Sequence, residues 1–237
     1  MLLAWAKERA EVLAHQAPAG MRTVLQANLF ETEQRAIKLF TESGYVKVRE
    51  WVHMSLEMDQ PFPDPSLPEG LTLRAMDLDQ DWDIVGPAMD EAFADHWGAI
   101  QLPATDEEPA EEDADDSLSD DSFSNAPGYC FIVLDGAKVA GGILCNAKLV
   151  ERTDTGRVGS VFVRREYRRR GIGQALMKTA FNTFWQNGVK RIILDTDAES
   201  FSESTKFYRR LGMKPYRREF LYEKEIRPGR EIRRLDL

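Results

Sequence analysis

The chain is 237 residues long, 43% hydrophobic and 30% charged, enough for one sizeable core or for one full domain plus a smaller piece. No apolar run is long enough to cross a bilayer, and two cysteines with three histidines lacking ligand spacing exclude a disulfide framework and a structural metal. The net charge of −9 is local: residues 105–121, TDEEPAEEDADDSLSDD, hold ten acids and no base, whereas residues 151–237 hold 21 Lys and Arg against 12 Asp and Glu.

The start, MLLAWAKERAEVLAH, meets Lys7, Glu8 and Arg9 too early for a signal-peptide core, and with unpaired Cys130 and Cys145 it points to a reducing cytoplasm. Residues 1–16 carry a helical stripe of Leu2, Leu3, Ala6, Ala10 and Leu13. MRTVLQANL reads as a strand, ETEQRAIKLFTESG as a helix closed by Gly44, and YVKVREWVHMSLEM as one or two further strands. DQPFPDPSLPEG, with four prolines in twelve residues, predicts a linker and a domain boundary. LTLRAM is a short strand, and DQDWDIVGPAMDEAFADHW contains a helix expected to bend or restart at Pro87. Residues 100–127 have almost nothing apolar to bury and read as a flexible insertion, centred on about 104–124.

YCFIVLDGAKVAGGILCNAKLV predicts a β-hairpin turning at Asp135-Gly136. Then come a strand in GRVGSVFV, a helix in GIGQALMKTAFNTFWQNG, a strand in KRIILDTD, a helix in SESTKFYRRLG and a last strand in MKPYRREFLYEKEI. Residues 24–57 echo residues 192–225: each runs strand, polar turn, helix ending in ESGY or RLGM, then strand.

The chemistry concentrates in RREYRRRGIGQALMKTA, residues 164–180, where arginines precede two glycines at the start of a helix. The first amides of a helix lack internal partners and the helix dipole adds positive charge there. Gly171 and Gly173 let a phosphate approach the backbone, and the stripe Ile172, Leu176, Ala180 and Phe184 fixes the helix to a core. This arrangement suits a pyrophosphate.

The pattern Arg168-x-x-Gly171-x-Gly173 after an apolar strand resembles the pyrophosphate motif of the GNAT acyl-CoA-dependent N-acetyltransferases. LDTDAESFSESTKFYRRLGM is similar to that family's later strand, turn and helix, which carries a tyrosine shortly before the helix end. AFADHWG and DTDAE resemble stretches of its tandem-domain members related to mycothiol synthase. The likeness covers about residues 70–225 as a complete domain, and residues 1–58 resemble only the C-terminal half of a preceding one. It implies an α/β fold with a mixed central sheet flanked by helices: residues 1–58 a partial half-domain without a cofactor site, 59–70 a Pro-rich linker, and 71–237 the complete domain. Two positions depart from the family pattern. Ser200 (or Phe201, if the turn is one residue shorter) stands where the family commonly has Asn, and Met213 replaces the usual aromatic after the helix.

The resemblance implies transfer of an acetyl group from acetyl-CoA to the primary amine of a small molecule or peptide, without a metal, by a monomer or homodimer. The backbone of Val161, Phe162 and Val163 would pair with the pantetheine arm and supply an oxyanion donor. Arg168, Arg169, Arg170, Gly171, Ile172, Gly173 and Gln174 would surround the pyrophosphate, Ser200 would contact the cofactor, and Tyr208 would protonate the departing thiolate. Glu151 and His96 are the candidate bases, although a histidine beside Trp97 reads first as a packed helix end.

Three other classes weigh against this reading. For a dinucleotide dehydrogenase, Leu176 replaces the third glycine and the strand lies too far from Gly171. For a nucleic-acid binder, the arginine loop lacks interleaved aromatics and its acidic neighbours repel phosphates. A non-catalytic acyl-CoA-binding regulator is the remaining alternative.

Overall fold

A computed structural model describes residues 2–101, 129–146, 154–200 and 203–235. The acidic run 105–121, the candidate base Glu151, and Phe201 lie outside the described residues.

The elements follow in the order α1 (Leu2–Ala14), β1 (Thr23–Phe30), α2 (Gln34–Glu42), β2 (Val46–Glu57), β3 (Leu71–Ala75), α3 (Trp82–Phe93), β4 (Phe131–Asp135), β5 (Lys138–Asn146), β6 (Thr155–Val163), α4 (Ile172–Gln186), β7 (Arg191–Asp197), α5 (Ser204–Arg210) and β8 (Lys214–Arg227). YVKVREWVHMSLEM is thus one long strand rather than two. Pro87 is accommodated inside the single helix α3 instead of dividing it. A one-turn 3₁₀ helix, Arg165–Tyr167, follows β6 and had no sequence signal.

The eight strands of the described residues form one mixed sheet in the order β1-β8-β2-β7-β6-β5-β4-β3. Alternation along the strands sends side chains to two faces. Phe131, Val133 and Ile143 meet Leu176, Phe181 and Phe184 of α4, while Ile132, Val139 and Phe162 meet Val85, Ala88 and Ala92 of α3. The central sheet is therefore covered by a helix on each face. A third, smaller cluster of Leu29, Tyr45 and Tyr222 joins β1 and β8 to α2.

The sequence echo has a structural counterpart. β1-α2-β2 and β7-α5-β8 are two βαβ units whose strands interleave, so that β2 lies between β7 and β8 while β8 lies between β2 and β1. The helices end alike, at Gly44 with φ 83° and Gly212 with φ 89°, the left-handed conformation that favours glycine. The strands on the two sides of the Pro-rich segment 59–70 thus belong to the same sheet.

Candidate active site

The parallel strands β6 and β7 pair only over Thr155–Arg157 and Arg191–Ile193. Beyond that they splay. On its other edge β6 stays paired with β5 through Val163, opposite Gly141. The amides of the outer half of β6 on the β7 side therefore have no strand partner among the described residues, and a groove of about 600 Å³ opens there.

The groove gathers Val161, Phe162, Val163, Arg168, Arg169, Gly171, Ile172, Gly173, Gln174 and Tyr208 from the sequence-derived candidates. Arg170 and Ser200 do not line it: the Arg170 guanidinium lies 5.6 Å from the Tyr167 ring, and Ser200 lines a second depression behind the β7–α5 turn. Sequence reasoning missed Glu203, Ser204, Phe207 and Arg210, which α5 and its approach bring to the groove. Their only sequence signal was the predicted helix around Tyr208.

Gly171 caps α4 at φ 87°, with no side chain capping the helix amides and open space where a Cβ would stand. A helix entrance with free amides and no side-chain bulk is a cradle for an anion. Arg169 on the same turn also adopts positive φ, 64°.

Arg168 is engaged elsewhere. Its guanidinium donates to both Asp95 carboxylate oxygens at 2.7 and 3.2 Å, to the Ala92 carbonyl at 2.8 Å and to the Val163 carbonyl at 3.1 Å. It ties the end of β6 to the C-terminal end of α3. Burial opposes ionisation of Asp95, but the Arg168 guanidinium outweighs it and holds the carboxyl below its ordinary range. The next residue, His96, lines the groove with its Nδ1 3.2 Å from Asp95. Burial pulls the imidazole below its ordinary pKa, against the opposing pull of Asp95, so the ring is neutral at pH 7.

Tyr208 is buried on α5, and its hydroxyl has no hydrogen-bond partner among the described residues. Burial, and then the charge of Asp195, raise its pKa, so the phenol stays protonated and available as a donor. Its ring lies edge-on to Phe207, centroids 5.2 Å apart. The two cysteines are free and buried, as expected of core side chains. Among the described residues no group of three or more His, Cys, Asp or Glu could hold a metal, and no helix is long and apolar enough to cross a membrane.

The sequence matches the acetyltransferase (GNAT) family over residues 90–213, which holds the last turn of α3, the groove and α5. The chain is 28% identical to the mycothiol acetyltransferase of Salinispora tropica over 209 residues, 84% of this chain and 63% of that protein. It therefore spans less than two thirds of the length of the curated relatives it matches first. Among solved structures it is similar to a GCN5-related N-acetyltransferase from Sphaerobacter thermophilus, with a TM-score of 0.76 and 31% identity over 97% of this chain and 68% of the other. A tandem GNAT protein from the clavulanic acid biosynthesis pathway shares the fold at a TM-score of 0.63 and 15% identity, over 96% of this chain and 70% of the other.

Proposed function

The chain belongs to the GNAT acetyltransferase family, and from that premise we propose that it moves an acetyl group from acetyl-CoA to the primary amine of a small molecule or peptide. The observation that carries the proposal is the convergence, in one groove, of the unpaired edge of β6, the uncapped entrance of α4 and Tyr208. Acetyl-CoA fits this groove in kind: an extended amide chain can pair with a strand edge, and a pyrophosphate can sit at a helix entrance.

The backbone of Val161–Val163 pairs with the pantetheine arm and turns an amide toward the thioester oxygen, where negative charge develops as the amine attacks. The first amides of α4, with Gly171 and Gly173 leaving room, hold the pyrophosphate, and Arg169 adds positive charge beside it. The new C–N bond forms as the C–S bond breaks, the electron pair passes to sulfur, and Tyr208 gives the thiolate its proton. His96, neutral because it is buried, removes the amine proton. Arg168 serves this site through Asp95, by holding the α3 turn against β6, rather than as a phosphate ligand.

By the same reading residues 1–58 are the C-terminal half of a second GNAT-like domain that carries no cofactor site, and 59–70 is the linker between the two. A screen of amines with acetyl-CoA, followed by thiol release and by mass of the product, tests the activity. Tight acetyl-CoA binding with no turnover on any amine would favour a non-catalytic acyl-CoA-binding regulator instead.

A further inference from the structure

The outer half of β7 leads, through the turn at its end, into α5 and groove-lining Tyr208. Past Ile193 it has lost β6, and its only strand neighbour among the described residues is β2, through Leu194–Met54, Asp195–His53, Thr196–Val52 and Asp197–Trp51. One side chain of β2 reinforces this support. Arg49, 5% exposed, grips Asp197 with Nε and Nη2 at 2.6–3.1 Å and reaches Glu199 with Nη1 at 3.1 Å. The turn it holds is tied down twice more, by the Ala198 amide to the Glu50 carbonyl at 2.9 Å and by the Glu199 amide to Asp197 Oδ1 at 3.0 Å. On its other side the guanidinium lies 5.2 Å from the ring of Trp97, the residue after His96.

Arg49 thus stands outside the groove and contacts residues next to it on two sides: the turn from β7 toward α5, and Trp97, the neighbour of groove-lining His96. α5 is only seven residues long and has no side-chain N-cap, so its placement depends on the turn before it. Besides that turn and the packing of Tyr208 in the core that holds Ile192 and Leu194, α5 is linked back to β7 by the 2.7 Å contact of the Thr196 and Ser204 hydroxyls. A planar fork binding one carboxylate through two nitrogens fixes direction as well as distance, which a lysine ammonium cannot do.

We propose that Arg49 is a positioning residue of the transfer site: it aims Tyr208 by locking the end of β7, and steadies the turn bearing His96 through Trp97. This rests on the acetyl-transfer reading for its kinetic part, and on the geometry alone for its structural part. The N-terminal βαβ unit thereby supplies a component of the other unit's site.

The test uses Arg49→Lys and Arg49→Met in the full chain, with two readouts. Displacement of a catalytic group by about 1 Å lowers turnover on the order of 100-fold. We therefore expect kcat to fall ~10-fold for Arg49→Lys and ~100-fold for Arg49→Met, with KM for acetyl-CoA within about twofold. Amide exchange at Ala198 and Glu199 should accelerate at least tenfold, while the amides of α4 keep their protection. Should Arg49→Met fail to fold because Asp197 is left unpaired, Arg49→Met/Asp197→Leu removes both charges and is expected to show the same loss of kcat and protection. Wild-type kcat together with wild-type exchange in the folded variants would overturn the proposal. A wild-type protein that acetylates no amine would instead overturn the proposed function, and exchange at Ala198 and Glu199 would still decide the role of Arg49.

Discussion

The two βαβ units share a plan and differ in what leads into them. β7-α5-β8 follows β6 and α4, so its first strand has a neighbour to splay from and a groove opens between them. Among the described residues β1-α2-β2 is preceded by α1, and β1 is the edge strand of the sheet on that side. The helices differ in the same sense. Tyr208 stands four residues before Gly212, and Phe40 stands four residues before Gly44, where it packs edge-on against Tyr45 at 4.8 Å between centroids. The same frame with the hydroxyl lies in the main core and borders the groove, and without it packs against the small cluster of Leu29, Tyr45 and Tyr222. A repeated fold therefore supplies the scaffold, while the proposed chemistry depends on one splayed strand pair and one oxygen atom.

The comparison breaks most completely if the units are separable. Deleting residues 1–70 removes β1 and β2, leaving β7 and β8 without the strand between them and Leu221 and Tyr222 uncovered. We expect an insoluble or unfolded product by circular dichroism; a soluble, active fragment 71–237 would show that the second unit stands alone. Next in size is Gly171→Glu, which puts a carboxylate and a strained left-handed backbone at the α4 entrance. Acetyl-CoA binding should be lost by calorimetry with folding intact. The wild-type chain should saturate at one acetyl-CoA, because the proposed reading gives a cofactor groove to the β7-α5-β8 unit alone; two per chain would erase the distinction.

A finer cut exchanges the two ring types. Tyr208→Phe is expected to lower kcat roughly 10²–10⁴-fold with little change in acetyl-CoA affinity, whereas Phe40→Tyr should leave kcat unchanged. Equal kcat for Tyr208→Phe and wild type would make Tyr208 a packing residue, like its counterpart.

The smallest effect tests the seam that joins the first unit to the C-terminal tail. Arg22 before β1, Glu223 in β8, and Glu231 and Arg233 in the tail form a charged network, with Arg233 bonded to Glu223 at 2.6 Å and to Glu231 at 2.8 Å. The Arg233 hydrogen bond, above all, lowers the Glu231 pKa to about 2 from its ordinary 4.5. A depressed folded-state pKa contributes stability that is fully present above about pH 4.5 and lost as pH falls toward 2. Glu231→Gln should remove that share of the acid dependence, measured by urea unfolding between pH 5 and pH 2.5 (range set by the same linkage). An unchanged acid slope would detach the tail from the seam.

Much of this was legible beforehand because it is written in local pattern. The glycine-closed helices, the Asp135-Gly136 hairpin, the glycine loop and the tyrosine helix all announce themselves within a few residues, and the groove assembles from them. What could not be read is pairing at a distance. Alternation along 46–57 shows that a strand exists but not that it enters between two strands more than 130 residues away. Nor does an arginine in a phosphate-like motif reveal that an aspartate over 70 residues earlier holds it. Arg168 matched the motif and yet faces α3. Arg49 matched no motif and yet joins the end of β7 to Trp97, beside His96.

The interleaving also governs how the molecule can be made. β2 ends at Glu57, but its neighbours begin at Arg191 and Lys214, close to the other end of the chain. A ribosome adding about 5–20 residues per second takes on the order of ten to thirty seconds to cover that distance. Throughout it the nascent chain carries Val52, Met54 and Leu56 with no strand to bury them, and an open edge on either side. Folding of this sheet must therefore await the synthesis of β7 and β8, and contacts of such long sequence separation are slow to close. The vulnerable interval lies between the emergence of β2 and that of β8, when a chaperone has most to shield.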